Sequence, residues 1–206
     1  MDKKVKKPGF IYIYTYELMY NSLLCGKLEE LDWLFVDDSI LSPDKLARRK
    51  WIDDCQILCK IGMTTKPSVS TRLLQWQNTC KHTVVNLTPD KVELLCNRRD
   101  SEKSFSKMFQ KLSIKSTKKT KNSIAERLLT YRDGGFYVDH RGKRPIEEIE
   151  NAIHKLLWKK YGQGLIYCYG CDPSGKKRHK EWFRITIKEL PWLLQTIDAI
   201  CHGNDI

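Results

Sequence analysis

The eight residues Gly9 to Tyr16 (GFIYIYTY) constrain this chain more than any other stretch. Aromatic and β-branched side chains pack well on a pleated surface, so the run predicts a central β-strand. A central strand needs neighbours. Gln56 to Ile61 (QILCKI), closed by Gly62, and His82 to Leu87 (HTVVNL) are two further strand-like runs. Helical patterns separate them. Val69, Leu73, Leu74 and Trp76 form a stripe running through Cys80, with Pro67 near its start. Pro89 begins a second, increasingly basic helix. Pro145 opens a third, in which Ile146, Ile149, Ile153, Leu156 and Leu157 keep helical spacing. Its first turn holds Glu147 and Glu148, where the helix dipole favours acids. Leu165 to Tyr169 and Trp182 to Ile187 predict a hairpin around a Cys/Gly/Lys-rich loop, and Pro191 to Ile200 a final helix.

These patterns predict an α+β protein: one domain over 1–206, with a small three-stranded mixed or antiparallel sheet flanked by helices. Residues 17–54 are expected as a helical insertion, because Leu18, Leu23, Leu24, Leu28, Leu31 and Leu34 recur among acids. Residues 98–144 are expected as a basic, partly mobile insertion, and 164–206 as an added hairpin and C-terminal helix.

The charge is uneven. Thirty-seven Lys/Arg oppose 25 Asp/Glu, a formal +12. Between Arg98 and Arg144 lie 14 cations against 5 acids, so one segment carries +9 of that excess. Its middle, Ser113 to Ser123 (SIKSTKKTKNS), is poor in apolar residues. Such a balance points to a polyanionic partner, nucleic acid before an acidic membrane surface. Lys118, Lys119, Lys121, Arg141, Lys143 and Arg144 are the candidate contacts. At 41% hydrophobic the chain is not wholly disordered. No window reaches the ~18 consecutive apolar residues of a membrane span. No apolar run follows the basic start Met1 to Lys7, so no secretory signal is expected. The expectation is an intracellular protein, nuclear or cytoplasmic, with reduced thiols.

Of the eight cysteines, Cys168 and Cys171 alone have C-x-x-C spacing. With His179 eight residues later they offer three ligands for a structural zinc. The fourth is open among Cys80, His82 and Cys59. The same loop also reads as a turn with two ordinary thiols.

Five pieces, taken in order, carry a resemblance. They are Gly9-Phe10-Ile11-Tyr12; Lys60-Ile61-Gly62-x-Thr64-Thr65; Arg72-Leu73-Leu74-Gln75-Trp76 followed by Cys80; Glu150-x-x-x-His154; and His179-x-Glu181-Trp182-Phe183. Together they resemble the GIY-YIG nuclease superfamily, closest to its phage and fungal Orf-type DNA-binding branch. The likeness spans Gly9 to Phe183 but omits residues 17–54 and much of the basic segment. It implies a DNA-binding protein, and roles for particular residues: Tyr12 as base or base-helper, Arg72 as phosphate and transition-state stabiliser, Glu150 as Mg²⁺ ligand, Lys60 and His154 as supporting groups. Four positions depart from the pattern. Gly9 lies three residues before Tyr12 rather than two, Lys60 stands at the second motif's tyrosine position, Met63 where relatives often carry a basic residue, and Trp76 where they often carry histidine.

The chemistry of the pieces stands beside the resemblance. A strand tyrosine can orient a water, an arginine can hold a phosphate through two hydrogen bonds, and a helix carboxylate can hold Mg²⁺ with its waters. The plainer readings are strand aromatics for Tyr12 and Tyr14, a surface cation for Arg72, a solvated acid for Glu150 and a packing histidine for His154. Tyr12 and Tyr14 share a strand face, and whichever lies nearer Arg72 is the functional candidate. Three functions remain: DNA binding with Mg²⁺-dependent phosphodiester cleavage, a catalytically inactive, zinc-stabilised binding or interaction module, and a soluble domain whose basic segment contacts RNA or acidic protein.

Overall fold

The computed structural model describes residues 7–27, 31–37, 48–51, 55–108, 123–139, 141, 144–162 and 164–203. The first half runs β1 (Gly9–Tyr16), α1 (Glu17–Cys25), β2 (Leu31–Asp37), β3 (Arg48–Trp51), β4 (Gln56–Thr64), α2 (Val69–Cys80), β5 (Val84–Asn86) and α3 (Pro89–Met108). The second runs β6 (Tyr131–Arg132), β7 (Gly135–Val138), α4 (Ile146–Tyr161), β8 (Gly164–Cys168), β9 (Arg178–Thr186) and α5 (Leu190–His202). The protein is α+β, as its patterns predict.

All residues of β1 are buried. Its length is paired on both sides: β4 lies along one, and β7 and β5 share the other. Period-2 alternation divides its side chains. Phe10, Tyr12, Tyr14 and Tyr16 face α2, where Trp76 and Cys80 meet them. On the other face, Thr15 donates from Oγ1 to Leu58 O and touches Met19 of α1. A strand with both faces covered by helices must be apolar throughout, which explains its composition.

The sheet is larger than three strands. It has nine, in the order β3-β2-β8-β9-β4-β1-β7-β6 with β5 also on β1, and every pairing is antiparallel. Three expectations are corrected by this topology. Residues 17–54 give one helix, closed at Gly26 in the left-handed region (φ 68°), and then strands β2 and β3. Leu31, Leu34 and Val36 are strand core residues, not a helical stripe. The β8–β9 hairpin is not an appendage: it lies inside the sheet, joining β2 to β4. Within 98–144, β6 and β7 form a hairpin whose second strand pairs with β1. Its two-residue turn, Asp133-Gly134, has φ of 52° and 84°, the left-handed pair that tight hairpins require. The Ser113 to Ser123 stretch lies outside the described residues.

Two helices set the site. Helix α2 starts at Ser68, whose Oγ accepts the Thr71 N–H, and stops at Lys81 in the left-handed region. Helix α4 carries Glu147 and Glu148 in its first turn and Lys159 and Lys160 in its last, both matched to the dipole. It buries Ile146, Ile149, Ile153, His154 and Leu157.

Candidate functional site

Tyr12 pairs with Gly62 across β1 and β4. A Cβ on Gly62 would sit 2.8 Å from Tyr12 Oη, so glycine is what lets the ring lie over the strand. Trp76, one turn after Arg72 on α2, donates its Nε1–H to Tyr12 Oη at 2.9 Å. The Arg72 guanidinium is also within hydrogen-bonding reach of that oxygen. Burial raises the Tyr12 pKa, and the Trp76 and Arg72 donors lower it without cancelling the rise. The resting group is therefore a neutral phenol that accepts from Trp76. Tyr14 stacks between Tyr12 and Trp76 but has no such donors. Of the two tyrosines, Tyr12 is the one beside Arg72.

Lys60 lies under the same indole, its Nζ 3.8 Å from the Trp76 ring centroid and 2.9 Å from Glu181 Oε2. The lysine is buried and the glutamate exposed, so the ammonium is neutralised from the rim. Burial raises the Glu181 carboxyl, but the Lys60 hydrogen bond and charge, with His154 and His179, hold it below the ordinary range. Arg72 has its Cζ 4.9 Å from the Trp76 centroid and donates Nη1–H to Gln75 Oε1 at 3.1 Å. One tryptophan thus carries two cations and one hydrogen bond.

Glu150 and His154 enter from α4, and backbone arithmetic explains why. Leu87 N–H donates to Ile13 O, so Ile13 turns its polar groups away from β4. Its partner Ile61, and Met63 two residues on, therefore turn theirs to the far side of β4. The pairing of β9 with β4 ends at Lys60–Trp182. Beyond that point Ile61 O and Met63 N–H need other partners. His154 Nε2 donates to Ile61 O at 2.9 Å, and Glu150 accepts from Met63 N–H. One helical turn matches the two-residue step of the strand. Burial raises the Glu150 pKa; His154, the Met63 amide and Lys60 pull it down, and Glu181 pushes it up. Glu150 also acts electrostatically on Tyr12. Tyr12, Lys60, Arg72, Glu150 and His154 thus form one polar cluster around Trp76 and the end of β4.

A second group forms nearby, on a small cavity that Lys60, Trp76 and Trp182 also line. The sulfurs of Cys80, Cys168 and Cys171 lie within 4.8 Å of one another, and Cys80 Sγ is 3.4 Å from Cys168 Sγ. Hydrogen bonds from Cys171 and Cys80 hold the Cys168 thiol well below its usual range, and sharing that charge pushes Cys171 and Cys80 up. Three thiols sharing one negative charge suit a soft divalent cation, so this cluster could hold a metal ion. His179 lines the same cavity as Cys80 and Cys171, and its Nε2 is buried without a hydrogen-bond partner. Burial keeps its imidazole neutral, the form that binds metal. His82 instead stacks on Trp33 at 3.6 Å, and Cys59 sits in the β4 core paired with Phe183. Asp172 orders the loop, taking Ser174 N–H and Oγ–H on Oδ1 and the Lys176 and Lys177 amides on Oδ2.

Arg141 and Arg144 line a separate cleft with Arg132. Lys118, Lys119, Lys121 and Lys143 lie outside the described residues. The sequence reading missed Trp76 as the hydrogen-bond donor to Tyr12; an indole standing one turn after Arg72 was the available signal. It also left Cys80 as one of three options, a choice only the fold makes.

Among the described residues the fold and the two groups define an α+β protein with one antiparallel sheet, a polar cluster near Gly62 and a three-cysteine cluster able to hold a metal ion. Over 163 residues it is 46% identical to the uncharacterized protein YPL034W of Saccharomyces cerevisiae, an alignment covering 69% of this chain and 99% of the yeast protein. The chain belongs to the family of that yeast protein. No family model and no solved structure matches it. Among the described residues no helix is long and apolar enough to cross a membrane.

Proposed function

We propose that this chain is a DNA-binding protein of the GIY-YIG nuclease type, cleaving phosphodiesters with a divalent cation on Glu150. The observation that carries the reading is the approach of Arg72 and Trp76 to the Tyr12 hydroxyl, with Glu150 in electrostatic reach of it. Arg72 keeps N–H groups beyond its bond to Gln75 and can hold a phosphate oxygen. Tyr12, which accepts from Trp76, keeps its own hydroxyl proton to orient a water or phosphate. Acting as a base requires its phenolate, which Arg72 and Trp76 stabilise. Glu150, near the Met63 amide, offers a carboxylate to a cation. Mg²⁺ there would supply charge neutralisation at the phosphate. Cys80, Cys168 and Cys171 would hold a zinc ion, with His179 on the same cavity as the candidate fourth ligand, and the ion would brace the end of the helix that carries Arg72 and Trp76.

A second reading, binding without cleavage, is favoured by the raised Tyr12 pKa and by Glu181 neutralising Lys60. Incubation of the purified protein with supercoiled and branched DNA, with and without Mg²⁺ or Mn²⁺, separates the two. Metal-dependent nicking absent in Glu150→Ala supports the nuclease. Binding with no nicking under any metal supports the silent module, and no binding at all sinks both.

A further inference from the structure

A cleft of about 780 Å³ opens between the β6–β7 hairpin, the end of α5 and the approach to α4. Its charged lining is Arg132, Arg141 and Arg144 against the single carboxylate Asp139, which already accepts the Arg141 amide. A second hollow, about 430 Å³, contains Lys66 and leads toward the start of α2. Arg132 and Tyr137 line both. The Arg132 guanidinium lies flat over Tyr137, its Cζ 3.6 Å from the ring centroid, and Phe10 meets the Tyr137 ring edge-on at 5.5 Å. The wall is rigid. Buried Asp198 of α5 accepts the Leu129 amide at 2.9 Å, the Thr130 amide at 2.8 Å and the Thr130 hydroxyl at 2.6 Å. Leu129, 75% exposed, stands among the lining residues.

We infer that this basic cleft binds a single-stranded stretch of nucleic acid, with one unpaired base stacked on the outer face of Arg132 and phosphates against Arg141 and Arg144. The inference rests on the DNA-binding reading and names the structural class of DNA. A guanidinium backed by a tyrosine is a ready stacking surface, and cationic grooves with aromatic platforms are how single strands are held. A base inside a duplex is stacked on both faces and has none to offer. The cavity is the size of a small-ligand pocket, far too narrow for a duplex to enter.

The test uses the full chain and fluorescein-labelled DNA: a blunt duplex, and the same duplex with a single-stranded tail at either end. Anisotropy should give roughly ten-fold tighter binding to one tailed form than to the blunt one, the size expected of one stacked base. Arg132→Ala and Arg132→Lys should both abolish that advantage, since lysine restores the charge but not the stacking face. Equal binding of blunt and tailed DNA, or an advantage retained in Arg132→Lys, overturns this inference and leaves the DNA-binding reading standing. Binding of none of these DNAs overturns both.

Discussion

The indole of Trp76 donates to the hydroxyl of Tyr12 at 2.9 Å, although 64 positions separate them in the chain. That bond ties the first strand to the helix carrying Arg72, so its loss should be measurable. Trp76→Phe and Tyr12→Phe each remove one partner and keep an aromatic ring. A double-mutant cycle by urea unfolding should return a coupling of about 0.5–1.5 kcal/mol. A coupling near zero would mean the bond contributes nothing to the fold.

The two glutamates of the cluster should respond to pH with opposite sign. The Glu181 pKa is depressed in the fold. The stability from its pair with Lys60 is therefore fully present above the unfolded value of ~4.3 and lost as pH falls through the folded one. Glu181→Gln should be less stable than the parent at pH 6, with the gap closing toward pH 3. The Glu150 pKa is raised instead. Its ionisation costs stability as pH rises from the unfolded value through the folded one, so Glu150→Gln should gain on the parent over that interval. Unfolding midpoints across pH 3 to 8 check both.

Purified protein should contain about one zinc per chain, because binding energy at such a site is folding energy. Metal analysis gives the stoichiometry, and a chelator should lower the melting temperature. Cys80→Ser, Cys168→Ser and His179→Ala should each reduce zinc content, whereas His82→Ala should not. Metal-free protein with all three thiols open to alkylation in the folded state would remove the metal centre.

DNA affinity should depend strongly on salt. If ~5 phosphates are neutralised, log K should fall against log[salt] with a slope of about −4 to −5. Deleting residues 113–123, which bring four lysines and no acid, should flatten the slope with little change in melting temperature. A flat response in the intact chain would count against a nucleic-acid partner.

Strand β1 and helix α4 were legible because their signals are local: an unbroken aromatic and β-branched run, and apolar residues at helical spacing with acids first. Strand β3 was not. It is Arg-Arg-Lys-Trp, and it lies at the edge of the sheet, where charge is tolerated and no apolar alternation is needed. The β6–β7 turn was readable in Asp133-Gly134, but the charge of its surroundings suggested an insertion. In the polar cluster, Tyr12, Arg72 and Glu150 could be named from the order of motifs. The contacts that hold them could not, because Ile61 O and Met63 N–H need Glu150 and His154 only where β9 parts from β4. Cys80 was one of several candidates because its meeting with Cys168 closes an 88-residue loop.

The place of the C-terminal hairpin in the sheet has a consequence for how the protein is made. Strand β2 leaves the ribosome early, yet its partners are β3 on one side and β8 on the other, and β8 is joined to β4 only through β9. Until the last quarter of the chain emerges, Leu34 and Val36 have no finished surface to pack against, and the Cys80 thiol waits for Cys168 and Cys171. Non-local strand pairings of this kind form slowly and leave apolar edges open in the meantime. A nascent chain halted before Gly164 would hold the first strand and its neighbours but neither the cysteine cluster nor the seat for β2, which makes residues 164–186 the ones that close the sheet.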